Sequence, residues 1–272
     1  MCKGKRGRRT AALCLALLLA LSAAALAKKA RSADRTSPLT VACGDDLAGI
    51  LFSELLEGGN ARQLTLGLEY VSLGDCCGSN AQFALSTGEV DVAVLCPDAA
   101  AELLESGAYT DCGAVLLDGN VLVTRPDSPA EPAVIGYMNQ REEQRQLLEV
   151  LYDPGTVRLQ PMFPSGLPYA LENGAVDAIV LDASAALRLG YPAKPLSEGV
   201  VTSALIVRSA LLEDPRLQEF LQQYRNFADS LSDDAVLSRV LCRYLETDRP
   251  EEVIHYWKTM NVQFGSPAMG TD

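Results

Sequence analysis

The stretch GEVDVAVLCPDAA, residues 88–100, returns as GAVDAIVLDASAA, residues 174–186. Each copy opens on a glycine turn, runs through a strand with an apolar interior, and closes on a loop that starts a helix. A strand apolar on both faces suits the interior of a parallel sheet, where helices cover it from either side. Any two strand–helix units share some of this pattern. A break between the copies favours two α/β lobes of common design over chance likeness. Asp91 and Asp177 hold matching positions ahead of the two strands and read as structural.

Outward from these copies, strand and helix signals alternate. Residues 39–43, 64–71, 114–117 and 120–124 read as strands, with helices over 47–56, 80–86 and 98–106. Three prolines in residues 125–132 (RPDSPAEP) then mark a crossover. Beyond it, residues 134–137, 157–160 and 200–207 join the second copy as strands, and 140–152, 166–172 and 183–189 read as helices. From residue 214 the chain reads as helices almost to its end. Alternation of this kind predicts an α/β fold with mainly parallel sheets.

Lys3, Lys5, Arg6, Arg8 and Arg9 precede an apolar run over residues 11–27 that closes on Ala25-Leu26-Ala27. This is the pattern of a secretory signal, expected to be cleaved after Ala27, with an uncleaved N-terminal anchor as the alternative. Residues 28–37 read as a polar linker. The expected location is extracytoplasmic, in the periplasm or at the cell surface. The whole chain holds 35 acidic and 23 basic residues, a net charge of −12. Without the five basic residues of the export segment, 18 remain against 35, a net of −17. Such a balance repels phosphate backbones and excludes a nucleic-acid partner. The single histidine, His255, excludes histidine-rich metal sites. No Cys-x-x-Cys, P-loop or G-x-G-x-x-G is present, so no enzyme class and no cofactor is indicated.

Together with the export segment, the two copies, the segment LLDGNVLVTRPDSP (116–129) and the segment VTSALIVRSALLEDPRLQEFLQQY (201–224) resemble extracytoplasmic substrate-binding proteins of ABC importers. The resemblance is to the two-lobed type serving nitrate, sulfonate, taurine and thiamine-precursor uptake, and it spans residues 38–262. It implies a type II periplasmic-binding-protein fold, each lobe a mainly parallel sheet flanked by helices. Lobe I would take residues 38–124 and lobe II residues 125–200. Residues 201–264 would return to lobe I as a strand and C-terminal helices, leaving 265–272 as a disordered tail. Hinges would lie near residues 120–125 and 202–208, and the lobes would close on a small ligand. The implied partner is an ABC permease, and the implied state is a monomer. The adjacent Cys76 and Cys77 depart from the family pattern and resemble a branch of ABC substrate-binding (seleno)proteins of the Sao type.

Ligands of open parallel sheets bind outside the carboxyl ends of the strands. In lobe I those ends carry Cys43, Gly44 and Asp45, then Cys76, Cys77, Gly78, Ser79 and Asn80, then Cys96. In lobe II they carry Tyr137, Asn139, Ser165 and Asp182, of which Asn139, Ser165 and Asp182 read equally well as helix caps. No arginine marks these loops. Cys43, Cys76, Cys77 and Cys96 would suit a thiophilic metal, metalloid or sulfur or selenium compound. Structural oxidation and simple burial are competing readings of the same cysteines. An ordinary anion could instead use backbone N–H groups of Gly78 to Asn80. Thiol–disulfide exchange in the cleft is the catalytic alternative. Cys112 and Cys242 read as lying away from it.

Overall fold

The computed structural model describes residues 38–44, 46–57, 67–73 and 78–266. The expected signal segment and linker, Asp45, Cys76 and Cys77 lie outside them. The first half comprises β1 (Leu39–Gly44), α1 (Leu47–Glu57), β2 (Leu68–Leu73), α2 (Gly78–Thr87), β3 (Val92–Leu95), α3 (Pro97–Glu105) and β4 (Tyr109–Leu117). Next come β5 (Asn120–Thr124), β6 (Val134–Met138), α4 (Glu142–Leu151), β7 (Arg158–Met162), α5 (Gly166–Glu172), β8 (Ala178–Asp182), α6 (Ala183–Leu189) and β9 (Ala193–Pro195). The chain closes with β10 (Val201–Arg208), α7 (Pro215–Ser230), α8 (Asp234–Tyr244), α9 (Pro250–Met260) and β11 (Gln263–Phe264). Among the described residues, no helix is long and apolar enough to cross a membrane.

The strands form two sheets, ordered β11-β4-β10-β3-β1-β2 and β7-β6-β8-β5-β9. Apart from β11, the second sheet repeats the first. β1 is flanked in parallel by β2 and β3, as β6 is by β7 and β8. An antiparallel strand follows in each, β10 beside β3 and β5 beside β8, and a further antiparallel strand completes the set. Only β5 and β10 make this symmetry possible, because each is reached from the other sheet. The observed architecture is thus the mixed α/β fold with two helix-flanked sheets expected from the sequence.

The two copies of the repeat do the same work in each lobe. β3 is buried throughout, as is the apolar part of β8. Gly88 and Gly174 follow their helices at φ 82° and 74°, a left-handed conformation that glycine adopts without a Cβ clash. Both helix ends are Schellman motifs: Gly88 N–H donates to the Leu85 carbonyl and Glu89 N–H to that of Ala84, while Gly174 and Ala175 donate to Leu171 and Ala170. Asp91 accepts from the Thr40 N–H at 3.1 Å, and Asp177 from the Val134 N–H at 3.0 Å. Each aspartate therefore ties its strand to the neighbouring parallel strand.

Where the chain crosses between sheets, Asp118 adopts φ 57° and is fully buried. Its carboxylate accepts from Ser197 Oγ at 2.7 Å, Gly199 N–H at 2.8 Å and Val200 N–H at 3.0 Å. One buried side chain thereby joins the outgoing turn before β5 to the returning turn before β10.

The C-terminal helices divide between the lobes rather than all covering lobe I. α7 packs on α1, where Phe52 lies 5.7 Å from Phe220 and 5.1 Å from Tyr224 between ring centroids. α9 instead lies against β9 and α6 of the second lobe, with the Tyr256 hydroxyl donating to the Ala186 and Tyr191 carbonyls. Val253, Trp257 and Met260 recur at helical spacing and form its buried stripe. Trp257 stacks on Phe264, 5.2 Å between centroids, and β11 then pairs with β4 of the first sheet. Gly265, expected to open a disordered tail, continues that pairing by donating to the Val115 carbonyl at 2.9 Å.

Candidate functional site

Several strand ends converge on one cleft. Gly44 and Asp46 follow β1, Leu73 ends β2, and Leu95 and Cys96 end β3. From the second sheet come Met138 at the end of β6, Arg141 just beyond it, and Asp182 at the end of β8. The floor is made by Asn120 at the start of β5 and by Thr202 and Ser203 at the start of β10. Because these two strands run antiparallel to their neighbours, their first residues lie beside the carboxyl ends of the parallel strands. The cleft encloses about 580 Å³ of atom-free space, part of it open to solvent.

Each polar wall residue is held by local structure. Asp46 accepts from the Gly49 N–H at 3.0 Å and so caps α1. Gly49 sits so close to β1 that a Cβ there would come within 2.0 Å of the Gly44 carbonyl oxygen. Asp182 caps α6 by accepting from the Ser184 N–H at 2.8 Å, with the Ser184 hydroxyl on the same oxygen. The buried Gln144 donates to Asn120 Oδ1 at 2.8 Å and accepts from the Met138 N–H at 3.1 Å. This fixes the Asn120 amide with its oxygen turned to Gln144. Asn120 Nδ2, in a residue only 3% exposed, is left without a hydrogen-bond partner. The Thr202 hydroxyl accepts from the Gly119 N–H at 3.0 Å and donates to the Leu116 carbonyl at 3.2 Å, tying the two crossovers together.

The lobes also meet directly. Asp98, in the first turn of α3, lies 3.4 Å from Arg141 Nε and accepts from the Glu143 N–H at 3.3 Å. Burial pushes the Glu143 carboxyl up to about 6; Asp98 raises it further and Arg141 opposes the shift. Asp182 is pushed up to about 7, first by burial and then by the negative charge of Asp46, against the pull of Ser184 and Arg141. Cys96 is also shifted upward by burial, with Arg141 opposing, so its thiol is held in the neutral form.

Of the residues anticipated from sequence, the structure brings Gly44, Cys96 and Asp182 to the cleft wall. Cys43 is drawn elsewhere. Its side chain shares a strand face with Leu39 and Val41 in the core, fully buried, and its Sγ donates to the Tyr70 hydroxyl at 3.3 Å. Tyr137 is likewise packed into a core cluster, with Leu122, Ile135 and Leu148. Ser165 is exposed at the start of α5 and makes no side-chain cap bond. Asn139 is half-buried after β6, its N–H bonded to the Met162 carbonyl. Gly78 and Ser79 open α2, and Asn80 beside them is exposed. Asp45, Cys76 and Cys77 lie outside the described residues. Cys112, placed by the sequence before its strand, lies within β4 and is buried, which pushes its thiol up to about 11.

The expectation that no arginine marks the cleft is corrected by Arg141. The sequence pattern starts a helix at residue 140, which would put Arg141 on a helix face. In the structure Gln140 takes φ 63°, the helix starts at Glu142, and Arg141 becomes the N-cap residue at the cleft. Asp46, Asn120, Thr202 and Ser203 were also not anticipated. Among the described residues, no group of three or more His, Cys, Asp or Glu is placed to hold a metal ion.

No protein-family model matches the chain. No curated protein matches it either. Solved structures do. The periplasmic aliphatic sulphonate-binding protein of Escherichia coli superposes with a TM-score of 0.61 at 16% identity, over 82% of this chain and 83% of that one. An ABC transporter protein from Parabacteroides distasonis gives 0.61 at 19% identity, over 85% and 86%. The ligand-binding component of an ABC-type import system from Staphylococcus aureus, solved with zinc bound, gives 0.59 at 15% identity, over 86% and 87%. With its repeated sheets, paired crossovers and cleft at the strand ends, the chain has the two-lobed fold of periplasmic substrate-binding proteins.

Proposed function

We propose that the chain is the substrate-binding component of an ABC importer, acting outside the membrane and delivering a small solute to its permease. The observation that carries this reading is the cleft itself. Its polar walls come from both lobes, Asp46 and Cys96 from one and Arg141 and Asp182 from the other, and its floor is made of the crossover strands. A solute bridging those walls would stabilise the closed arrangement over the open one by its contacts with both. The export pattern over residues 1–27 agrees with an extracytoplasmic role.

A thiol-based ligand site would rest on Cys96 with Cys76 and Cys77, since Cys43 faces the core. Burial holds the Cys96 thiol protonated, which weakens it as a soft-metal ligand and as a nucleophile. The cleft geometry therefore favours solute capture over thiol–disulfide exchange. Small-angle scattering on the purified exported protein, with a library of small solutes, tests the capture reading. A saturable fall in radius of gyration with at least one solute is expected. No compaction with any solute would overturn it, and turnover of a dithiol substrate would then favour the exchange reading.

A further inference from the structure

We infer that the solute is a small organic ammonium ion, held between Asp46 of one lobe and Asp182 of the other, with an acceptor oxygen of its own facing Asn120. This rests on the reading of the cleft as a capture site and names the chemistry it selects. Among the described residues, carboxylates outnumber cations there. Asp46 and Asp182 line the cleft directly, and Asp98 and Glu143 stand behind Arg141, which is paired to Asp98. An anionic solute would meet that excess of like charge. A positive group between Asp46 and Asp182 relieves it.

Asn120 supplies the independent observation. Its Nδ2 is buried, in a residue only 3% exposed, and has no hydrogen-bond partner. Gln144 holds the amide in that orientation. A buried N–H left unpaired costs about 1–3 kcal/mol, so an acceptor delivered by the solute is strongly favoured there. A bare metal ion would not answer this donor, and no metal-binding group of three acidic, Cys or His residues exists among the described residues. Leu73, Ala81, Met138 and Cys96 complete the wall with apolar or soft surface that suits a short alkyl chain.

Because the two carboxylates belong to different lobes, the same pair couples charge to closure. Asp182 holds a proton more readily than a free carboxyl does, through burial first and the neighbouring Asp46 second. An ammonium group between them favours the ionised form of Asp182. Among the described residues, Asp46 from the β1–α1 turn and Arg141 from the start of α4 are the charged groups that act on Asp182. Arg141 in turn faces Asp98 on α3, with Glu143 beside it. Binding below neutral pH is therefore expected to release a proton.

The test is calorimetry with parallel scattering on the full exported chain. The probes are ethanolamine, choline and putrescine, set against the anions isethionate, sulfate and nitrate and the neutral solute glycerol. At least one amine is expected to bind and compact the protein, with proton release at pH 6.5 seen as a buffer-dependent heat. Asp182→Asn, which preserves the helix cap, should weaken amine binding about tenfold or more. Asp46→Asn, which also preserves its cap, should do the same and guards against a folding defect in the first variant. Compaction by an anion or by glycerol but by none of the amines would overturn this inference and leave solute capture standing. Compaction by no probe and no other solute would overturn both.

Discussion

Replacing Asp182 by asparagine is expected to remove a pH dependence from the stability of the ligand-free protein. The folded-state carboxyl is raised from 3.8 to about 7, by burial first and Asp46 second. Between these values the folded chain holds a proton that the unfolded chain has lost, so stability falls as pH rises through this window. It is full below about pH 4 and levels off above about pH 7. Three pKa units at about 1.4 kcal/mol each set an upper limit of about 4 kcal/mol, and solvent at the cleft side reduces it to about 2. Asparagine caps a helix about as well as aspartate, so the cap to Ser184 is retained while the charge is removed. Urea denaturation of both proteins at pH 4.5, 6 and 8 measures the effect. The wild type should lose about 2 kcal/mol more than the variant between the lowest and highest pH. Glu143, raised to about 6, leaves a residual slope common to both. Equal slopes in the two proteins would refute the electrostatic account of the cleft.

The remaining predictions concern single buried groups. The Tyr224 hydroxyl is fully buried without a hydrogen-bond partner, so Tyr224→Phe should leave the urea midpoint unchanged or raise stability by about 1 kcal/mol. Tyr256→Phe is the control, expected to cost about 1 kcal/mol, because that hydroxyl bonds the Ala186 and Tyr191 carbonyls. Asp118→Ala strips the acceptor from Ser197, Gly199 and Val200 at the crossovers, and a loss of about 2–4 kcal/mol in chemical denaturation is expected. A loss under about 0.5 kcal/mol would show that water replaces the carboxylate there.

The repeat was legible in the sequence because buried parallel strands, glycine turns after helices and a matched aspartate are all local signals. Asp91 and Asp177 could be read as structural before any coordinates, and each proves to tie its strand to a neighbour. The cleft was legible only in part. Strand-end logic located Gly44, Cys96 and Asp182, since parallel strands bring their carboxyl ends to one edge. The same logic misplaced the Cys43 side chain. The strand end marks the cleft, but the alternation of side chains along the pleat sends Cys43 to the core face with Leu39 and Val41.

Asn120, Thr202 and Ser203 escaped a reading confined to carboxyl ends because β5 and β10 enter the cleft by their first residues. Arg141 escaped because a left-handed residue at Gln140 delays the helix, and Gln140 carries no glycine-like signal. α9 was assigned to the first lobe by its place in the chain, yet it packs on β9 and α6 of the second and bonds there through Tyr256. The sequence by itself determined the two sheets, their common design and the edge where the parallel strands end, since periodicity and turn chemistry act within a few residues. Tertiary structure alone decided which charges share the cleft. Asp46, Arg141 and Asp182 are brought together by sheet order and crossover direction, and no local pattern encodes a distance between two lobes.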